Sequence, residues 1–363
     1  MRMHHTEHTT DLKGLFPDEL AAALAPLGAP AFRAKQLFGW LHRRLAADFA
    51  HMTDLPADLR ARLAAEFRLT TLREAQRATA ADGASKFLFA LADGHTVESV
   101  YLPGAARHTI CISSQVGCPF GCPFCATGKS GFVRNLTAAE IIDQVYRVQA
   151  SLPPETRISN VVYMGMGEPL ANYENVLRSV RLLLHPQGLN LAQRHITLST
   201  VGIVPGIERL AEEGLQLNLA ISLHAPTQAA RVRLVPIAKK YPLAALLAAA
   251  RQYVNRTGRK VTFEYTVVPG SNDAPEDARA LAALVRGLPA LVNIIPLNLD
   301  EGAMPKLKMP PVELVAAAER FTAQLKAHGV EATLRRSRGD EITGACGQLR
   351  RRTPGGAALP DQP

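Results

Sequence analysis

The chain has 363 residues, 47% of them hydrophobic, enough for two domains or one large α/β unit with an appendage. Its formal net charge of +9 suggests a polyanionic partner, most simply nucleic acid. No apolar run reaches the roughly 18 residues of a membrane span, and residues 1–10 lack a signal-peptide core. A cytoplasmic protein with no membrane contact is therefore expected, in a compartment where its five cysteines mean chemistry more readily than disulfides.

Residues 1–10 are polar and carry His4, His5 and His8 without an accompanying Cys or carboxylate pattern, so they read as a disordered tail rather than a metal site. Residues 11–70 read as a small helical domain. Pro17-Asp18-Glu19 opens one helix, and Phe32 to Leu45 forms a second with Phe32, Gln36 and Trp40 on one face and Arg33, Lys35, Arg43 and Arg44 open to solvent. Leu55-Pro56-Ala57-Asp58 starts a third that ends near Phe67. The basic surface is either a solvated face or a contact for an RNA backbone.

Residues 71–104 turn to strand patterns. Lys86 to Leu91 and Thr96 to Leu102 flank Asp93-Gly94, a hairpin signal, and Glu98 lies in the second strand as an ordinary carboxylate expected to face water. From residue 105 to 349 strand and helix signals alternate. Strands are expected at His108 to Ser113, Ile158 to Met164, His195 to Ser199, Leu217 to Leu223, Val261 to Val268, Val292 to Leu297 and Val330 to Leu334. Thr137-x-x-Glu140 is a capping box, Pro205 opens a helix, and Gly214 and Gly329 close others. Six or so such units predict a parallel sheet covered by helices that closes, or partly closes, into a barrel with its chemistry at the C-terminal strand ends. Residues 350–363, rich in Pro, Gly and Ala towards the end, read as a disordered tail.

Cys118-Pro-Phe-Gly-Cys122-Pro-Phe-Cys125 follows the first strand of the series with the spacing C-x3-C-x2-C. Structural zinc takes four ligands, usually as two separated C-x2-C knuckles, and no second knuckle occurs. A [4Fe–4S] cluster held by three thiolates leaves one iron open to a ligand that can react. The cluster is the preferred reading, with zinc as the alternative. Other candidates fall at the same end of later strands: Gly165-Met166-Gly167-Glu168-Pro169, Ser199, Ser222-Leu223-His224 and Asn298. Singly each is more often a turn, a cap or, for His224, a packed core histidine; in order they support a shared site. Cys111 and Cys346, about 235 residues apart, read alone as small buried hydrophobes.

The cysteine loop has the signature of the radical S-adenosylmethionine (SAM) enzymes. Together with Ala126-Thr-Gly, Phe132-x-Arg134-Asn135-Leu136, Gly165-Met-Gly-Glu-Pro-Leu170, Ser222-Leu-His-Ala225, Gly344-Ala-Cys-Gly-Gln-Leu349 and Phe32-Arg-Ala-Lys-Gln36, it resembles the RlmN family of RNA methyltransferases from about Leu12 to Leu349. Two departures stand out: Glu341 occupies a position where the family pattern has Asp, and prolines 119 and 123 are one of several loop fillings.

The resemblance implies an α/β fold, a partial (β/α)6 TIM-type barrel of the radical SAM class with a small N-terminal helical domain. It further implies methylation of position 2 of one adenosine in 23S rRNA and of the adenosine 3′ of the anticodon in tRNA. By this likeness Cys118, Cys122 and Cys125 hold one [4Fe–4S] cluster, and Gly167, Glu168, Ser199, Ser222, Leu223, His224 and Asn298 contact SAM, of which two molecules are used per turnover. Cys346 would accept a methyl group from the first SAM, and a 5′-deoxyadenosyl radical from the second would activate it for addition to adenine. Glu98 would take the proton, and Cys111 would attack the sulfur of Cys346, release the RNA and leave a disulfide. Partners implied are 23S rRNA, tRNA and an electron donor such as flavodoxin or ferredoxin. A monomer is expected, because no coiled-coil or repeat signal appears. Arg335, Arg336, Arg338 and Arg350 to Arg352 could hold RNA phosphates. A sister activity at position 8 of the adenosine, or a non-catalytic Fe–S protein that binds RNA or transfers electrons, stays open.

Overall fold

The computed structural model describes residues 10–298, 309–335 and 338–353. The two expected tails, save for a few residues at their inner ends, and Arg336 lie outside the described residues. The chain forms two compact units, one of Met1–Arg73, Leu136–Arg157 and Glu174–Ala192, the other of Glu74–Asn135, Ile158–Tyr173 and Gln193–Pro363.

The first unit is helical. Its N-terminal helices are Pro17–Leu24, Phe32–His42 and Ala57–Glu66, the first with Pro17 at its first turn as the sequence predicts. Helix Phe32–His42 buries Ala34, Leu37, Phe38, Leu41 and His42, which recur at helical spacing. Phe32 is therefore not a core residue; it is 54% exposed, with the Arg33 guanidinium over its ring, as Arg44 lies over Trp40. Helix Ala138–Ser151 begins with the expected capping box: Glu140 N–H donates to Thr137 Oγ1 (3.2 Å) and Thr137 N–H to Glu140 Oε2 (2.9 Å).

A buried ion pair ties this helix to the N-terminal segment. Lys13 Nζ lies 2.6 Å from Asp143 Oδ1, both side chains fully buried, and also donates to the Thr70 carbonyl. Asp143 Oδ2 accepts the Leu72 N–H at 2.7 Å. Burial outweighs the attraction of Asp143 and moves the Lys13 pKa below its usual range, so the pair depends on close geometry.

The second unit is built on a ten-stranded sheet. Its strands are β1 (Arg73–Thr79), β2 (Ser85–Ala90), β3 (Thr96–Leu102), β4 (Thr109–Cys111), β7 (Asn160–Tyr163), β8 (Ile196–Thr200), β9 (Asn218–Ser222), β10 (Val261–Val267), β11 (Ala290–Pro296) and β12 (Ala332–Leu334), in that spatial order. β5 (Gln115–Gly117) and β6 (Phe132–Asn135) form a separate ribbon. β2 and β3 make the hairpin expected around Asp93-Gly94. β3 pairs antiparallel with β4, and β4 to β12 then run parallel in six steps, each step bridged by helix. Strands such as Val261–Val267 are buried almost throughout, their Thr and Glu positions included, because both faces are covered; the helix Pro311–Ala327 packs on β10, β11 and β12. The seven parallel strands are the ones read from the sequence. Among the described residues the sheet stays open, with β1 and β12 at its edges, which fits a partial barrel extended by a hairpin.

Removing one partner of the buried Lys13–Asp143 pair leaves an uncompensated charge. Asp143→Ala is expected to lower unfolding stability by about 3–5 kcal/mol, read from urea denaturation of the two proteins side by side.

Candidate active site

The cysteine loop is set by the β5–β6 ribbon, which the sequence reading did not find. Gly117 ends β5 with φ +79°, and a Cβ there would lie 1.7 Å from the Gly131 carbonyl oxygen. That carbonyl accepts the Cys118 N–H at 3.0 Å, so only glycine lets the ribbon close on the first cysteine. A second clamp joins the loop after β4 to the loop after β7. Met166 N–H donates to Ser113 Oγ (2.9 Å), Ser114 N–H to the Met166 carbonyl (2.8 Å), and Glu168 N–H to Gln115 Oε1 (2.8 Å). Gly167, with φ +101°, passes against Gln115 where a Cβ would clash at 2.6 Å.

These loops bound a cavity at the C-terminal ends of the parallel strands. Its wall contains Cys118, Cys122 and Cys125, Gly167 and Glu168, Ser199, Ser222 and His224, Asn298 and Cys346. Leu223 is buried behind it, with its N–H on the Glu264 carbonyl at 3.0 Å, and does not line the cavity. Cys111 lines an adjoining cavity whose wall also holds Cys346, Asn298, Met164 and Arg335. The structure thus places Cys346 on the wall common to both spaces, with the cysteine loop on one side and Cys111 on the other.

Glu168 is buried and accepts N–H bonds from Leu170 (3.0 Å) and Val201 (2.8 Å). Burial nevertheless pushes its pKa up to about 7. An ammonium in the cavity would pair with it. His224 takes a left-handed backbone (φ +56°), and its Nδ1 accepts the Thr266 N–H at 3.0 Å, which leaves the neutral ring's proton on Nε2. Burial lowers its pKa to about 3, so it stays neutral. Asn298 Nδ2 donates to the Cys346 carbonyl at 3.1 Å.

All five cysteines are free thiols. Burial, and then the neighbouring cysteines of the loop, push Cys118 up to about 12 and Cys122 well above the normal thiol range; Cys125 is raised chiefly by burial. Three such thiolates coexist only around added positive charge, which iron supplies. Among the described residues no three His, Cys, Asp or Glu side chains are gathered tightly enough for a single ion. One tetrahedral zinc needs sulfurs within about 4 Å of one another, whereas a cuboidal cluster takes thiolates at separate corners. Three thiols of one loop on one cavity wall fit the ligand set of a [4Fe–4S] cluster that keeps one iron open.

Glu98 does not face water, contrary to the reading of its strand alone. It is fully buried, because the segment after Cys346 folds over it: Arg352 Nε donates to Oε1 (2.7 Å), Arg350 N–H to Oε2 (2.9 Å), and Lys86 Nζ lies 3.3 Å from Oε1. Glu98 lines a third cavity with Lys86, Thr343 and Arg352, apart from the two that share Cys346. In the sheet its neighbour Val100 pairs with Cys111, so Glu98 and Cys111 project from the same face two positions apart. The tail arginines are less available to phosphates than the sequence suggests. Arg338 bonds to Asp82 and Pro103, Arg351 to the Ser130 carbonyl, and Arg335 lines the cavity walls that also hold Cys346, Glu264 and Cys111. Glu341 reaches the Ala81 N–H.

Sequence reasoning missed Glu264, a carboxylate in the middle of β10 that lines the main cavity beside Arg335 and accepts Asn293 Nδ2 at 2.8 Å. Its signal is a lone charge inside Val-Thr-Phe-Glu-Tyr-Thr-Val.

A parallel β/α sheet with three cysteines and a Gly-Met-Gly-Glu loop on one cavity is the architecture of a radical SAM protein, and residues 112–282 match the family model described as the radical SAM superfamily. Residues 10–69 match the ribosomal RNA large subunit methyltransferase N-terminal domain. The chain is 50% identical over 342 residues to a probable dual-specificity RNA methyltransferase RlmN of Symbiobacterium thermophilum, covering 94% of this chain and 91% of that protein. It is 48% identical to the Thermus thermophilus protein of that name, covering 94% and 93%. A crystal structure of a radical SAM methyltransferase from Sphaerobacter thermophilus superposes with a TM-score of 0.89 at 46% identity, over 94% of this chain and 99% of that one. The chain belongs to the RlmN family of radical SAM RNA methyltransferases.

Arg352 closes the Cys346 segment onto Glu98. Arg352→Met is expected to loosen that segment and raise the rate at which iodoacetamide alkylates Cys346 several-fold over wild type, as followed by peptide mass spectrometry.

Proposed function

We propose that this chain methylates carbon 2 of an adenosine in 23S rRNA and of the adenosine 3′ of the anticodon in tRNA. The observation that supports this reading most is the placement of Cys346 on the wall shared by the cysteine-loop cavity and the Cys111 cavity. Carbon 2 is electrophilic and does not accept a methyl cation, so the carrier has to deliver carbon by another route. One [4Fe–4S] cluster held by Cys118, Cys122 and Cys125, with two SAM molecules per turnover, would supply the methyl group and the radical chemistry.

The chain's own groups do the rest. Glu168 receives an ammonium in its buried anionic pocket, Gly167 lets the backbone lie close, and Ser199, Ser222, His224 and Asn298 offer hydrogen bonds around the cavity. Cys346 carries the methyl on its sulfur. Once that carbon is joined to the adenine, Cys111 as its thiolate attacks the Cys346 sulfur; the S–C bond breaks, the freed carbon takes up a proton to become the methyl group, and the S–S bond formed is returned to the dithiol by external thiols or a reductase. Glu98 accepts the proton once Arg350 and Arg352 release it. The basic first unit, with Arg33 on Phe32 and Arg44 on Trp40 at its surface, suits an RNA backbone, and base extrusion brings the adenine to the cavity. The electron donor is a flavodoxin or ferredoxin, and the protein works as a cytoplasmic monomer. Among the described residues no helix is long and apolar enough to cross a membrane.

Nucleoside mass spectrometry of rRNA and tRNA from cells with and without the gene tests the product. Loss of 2-methyladenosine is expected; loss of 8-methyladenosine alone would identify the sister activity, and no change would favour a non-catalytic Fe–S protein. Cys111→Ala is expected to trap RNA covalently on Cys346, seen as an RNase-sensitive shift on a denaturing gel, and normal turnover would remove Cys111 from the resolving role. Because Glu168 is neutral below about pH 7, SAM affinity should fall as pH drops from 8 to 6, and Glu168→Gln should flatten that dependence in equilibrium dialysis.

A further inference from the structure

On the carbon-2 reading the base has to meet both cysteines outside the loop. Cys346 bonds to it and Cys111 then reaches the Cys346 sulfur, so the purine belongs in the adjoining cavity, whose wall holds both. That cavity is made where the two ends of the parallel sheet face each other. Cys111 closes β4 and Val100 stands beside it on β3, while Ile295 of β11 and Arg335, which follows β12, come from the far end. Its lining is mostly apolar, which suits the faces of a purine and leaves the ring nitrogens needing a donor.

Two polar side chains on this wall already have work. Asn298 Nδ2 donates to the Cys346 carbonyl at 3.1 Å, and Arg338 bonds to Asp82 and the Pro103 carbonyl. Arg335 differs. Its N–H donates to the Ile294 carbonyl at 2.8 Å, which fixes its backbone against β11, and its side chain runs across to Met164, just beyond β7. There Nη1 lies 3.9 Å from Met164 Sδ, a long contact to a weak acceptor and the side chain's one hydrogen-bonding contact among the described residues. A guanidinium carries five N–H donors in a fixed plane. On the walls of both cavities, beside Cys346, it meets the space the substrate fills with most of those donors unspent.

A phosphate is a poor occupant here, because its charge would be desolvated by the apolar wall and would oppose two thiols that have to ionise. A ring nitrogen brings a lone pair without that charge. In adenine, carbon 2 lies between N1 and N3, and carbon 8 lies beside N7. A donor that holds N1 or N3 therefore turns carbon 2 to its own side of the ring, and one that holds N7 turns carbon 8.

We propose that Arg335 is a substrate-binding residue whose guanidinium donates to N1 or N3 of the extruded adenine and so presents carbon 2 to Cys346. This rests on the reading of the chain as a carbon-2 methyltransferase with Cys346 as the carrier.

The test compares each protein with itself. Full-length, cluster-loaded wild type and Arg335→Met, which loses every side-chain donor, are given a stem-loop RNA that wild type methylates. They are also given the same RNA with 1-deaza-, 3-deaza- or 7-deazaadenosine at the target position. The penalty for each analogue is the fall in kcat/KM relative to the adenosine RNA, so a general loss of fold or of cluster cancels within each protein. For either the 1-deaza or the 3-deaza RNA, the penalty should be at least about tenfold larger in wild type than in Arg335→Met, the scale of one hydrogen bond from a charged group. The 7-deaza penalty should be the same in both. Where a protein no longer turns over an RNA, the Kd ratio of the same pair is held to the same threshold. A smaller difference for both the 1-deaza and 3-deaza RNAs overturns the proposal. So does an Arg335→Met that weakens all the RNAs alike and lowers the salt dependence of binding, which marks a phosphate contact. A wild-type product of 8-methyladenosine, read by mass spectrometry, overturns the underlying reading, and this inference with it.

Discussion

The arrangement of the site depends on the buried carboxylate of Glu98. Through Arg352 Nε and the Arg350 N–H it fixes the strand of chain that follows Cys346, and Thr96 adds a bond from its hydroxyl to the Arg352 carbonyl. On the other side the same segment meets the cysteine loop, where Ala126 N–H donates to the Gly347 carbonyl at 2.7 Å and Thr127 to the Leu349 carbonyl. Cys346 is held between these two fastenings. The loop carrying Cys346 thereby gains a defined address between the cysteine loop and Cys111 without being part of any strand. The same contact sets the anchoring of the tail against the proton-accepting role proposed for Glu98. While it anchors the tail it is paired with two cations, and a proton-accepting role requires that pairing to open.

Electrostatics divides the cavity by depth. The cysteine loop and Glu168 are buried groups whose charged forms are penalised by their surroundings, so they are disposed to receive cations, iron in one case and an ammonium in the other. His224 is kept neutral and offers hydrogen bonding without charge. Arg335 stands where the two cavities join, facing Cys346, Cys111 and Glu264. Arg231 is buried and donates to the carbonyls of Val201 and Ser222.

Much of this was legible in the sequence because it follows from periodicity and local chemistry. The seven parallel strands stand out as apolar runs between helix signals, and the Thr137 capping box formed as its spacing predicts. The cavity residues Gly167, Glu168, Ser199, Ser222, His224 and Asn298 could be found because strand ends of a parallel sheet converge. What stayed hidden depends on contacts distant in sequence. Glu98 reads as a water-facing strand residue until the chain some 250 residues later covers it. The ribbon of Gln115–Gly117 with Phe132–Asn135 consists of strands too short to carry a pattern, and its key residue, Gly117, shows its purpose only against Gly131. Nothing in the sequence singles out Arg231, which is fully buried; Arg335 reads as a contact for RNA phosphates and lines the two cavities; and Phe32, placed on one helix face with Gln36 and Trp40, is 54% exposed.

The central claim is that Cys346 is a methyl carrier placed between a radical source and a resolving thiol. Peptide mass spectrometry of the protein isolated from cells that express it with its cluster intact tests this directly. The account predicts that Cys346, and no other cysteine, carries one additional methyl group. An unmodified Cys346 in protein whose RNA substrates are methylated would contradict it.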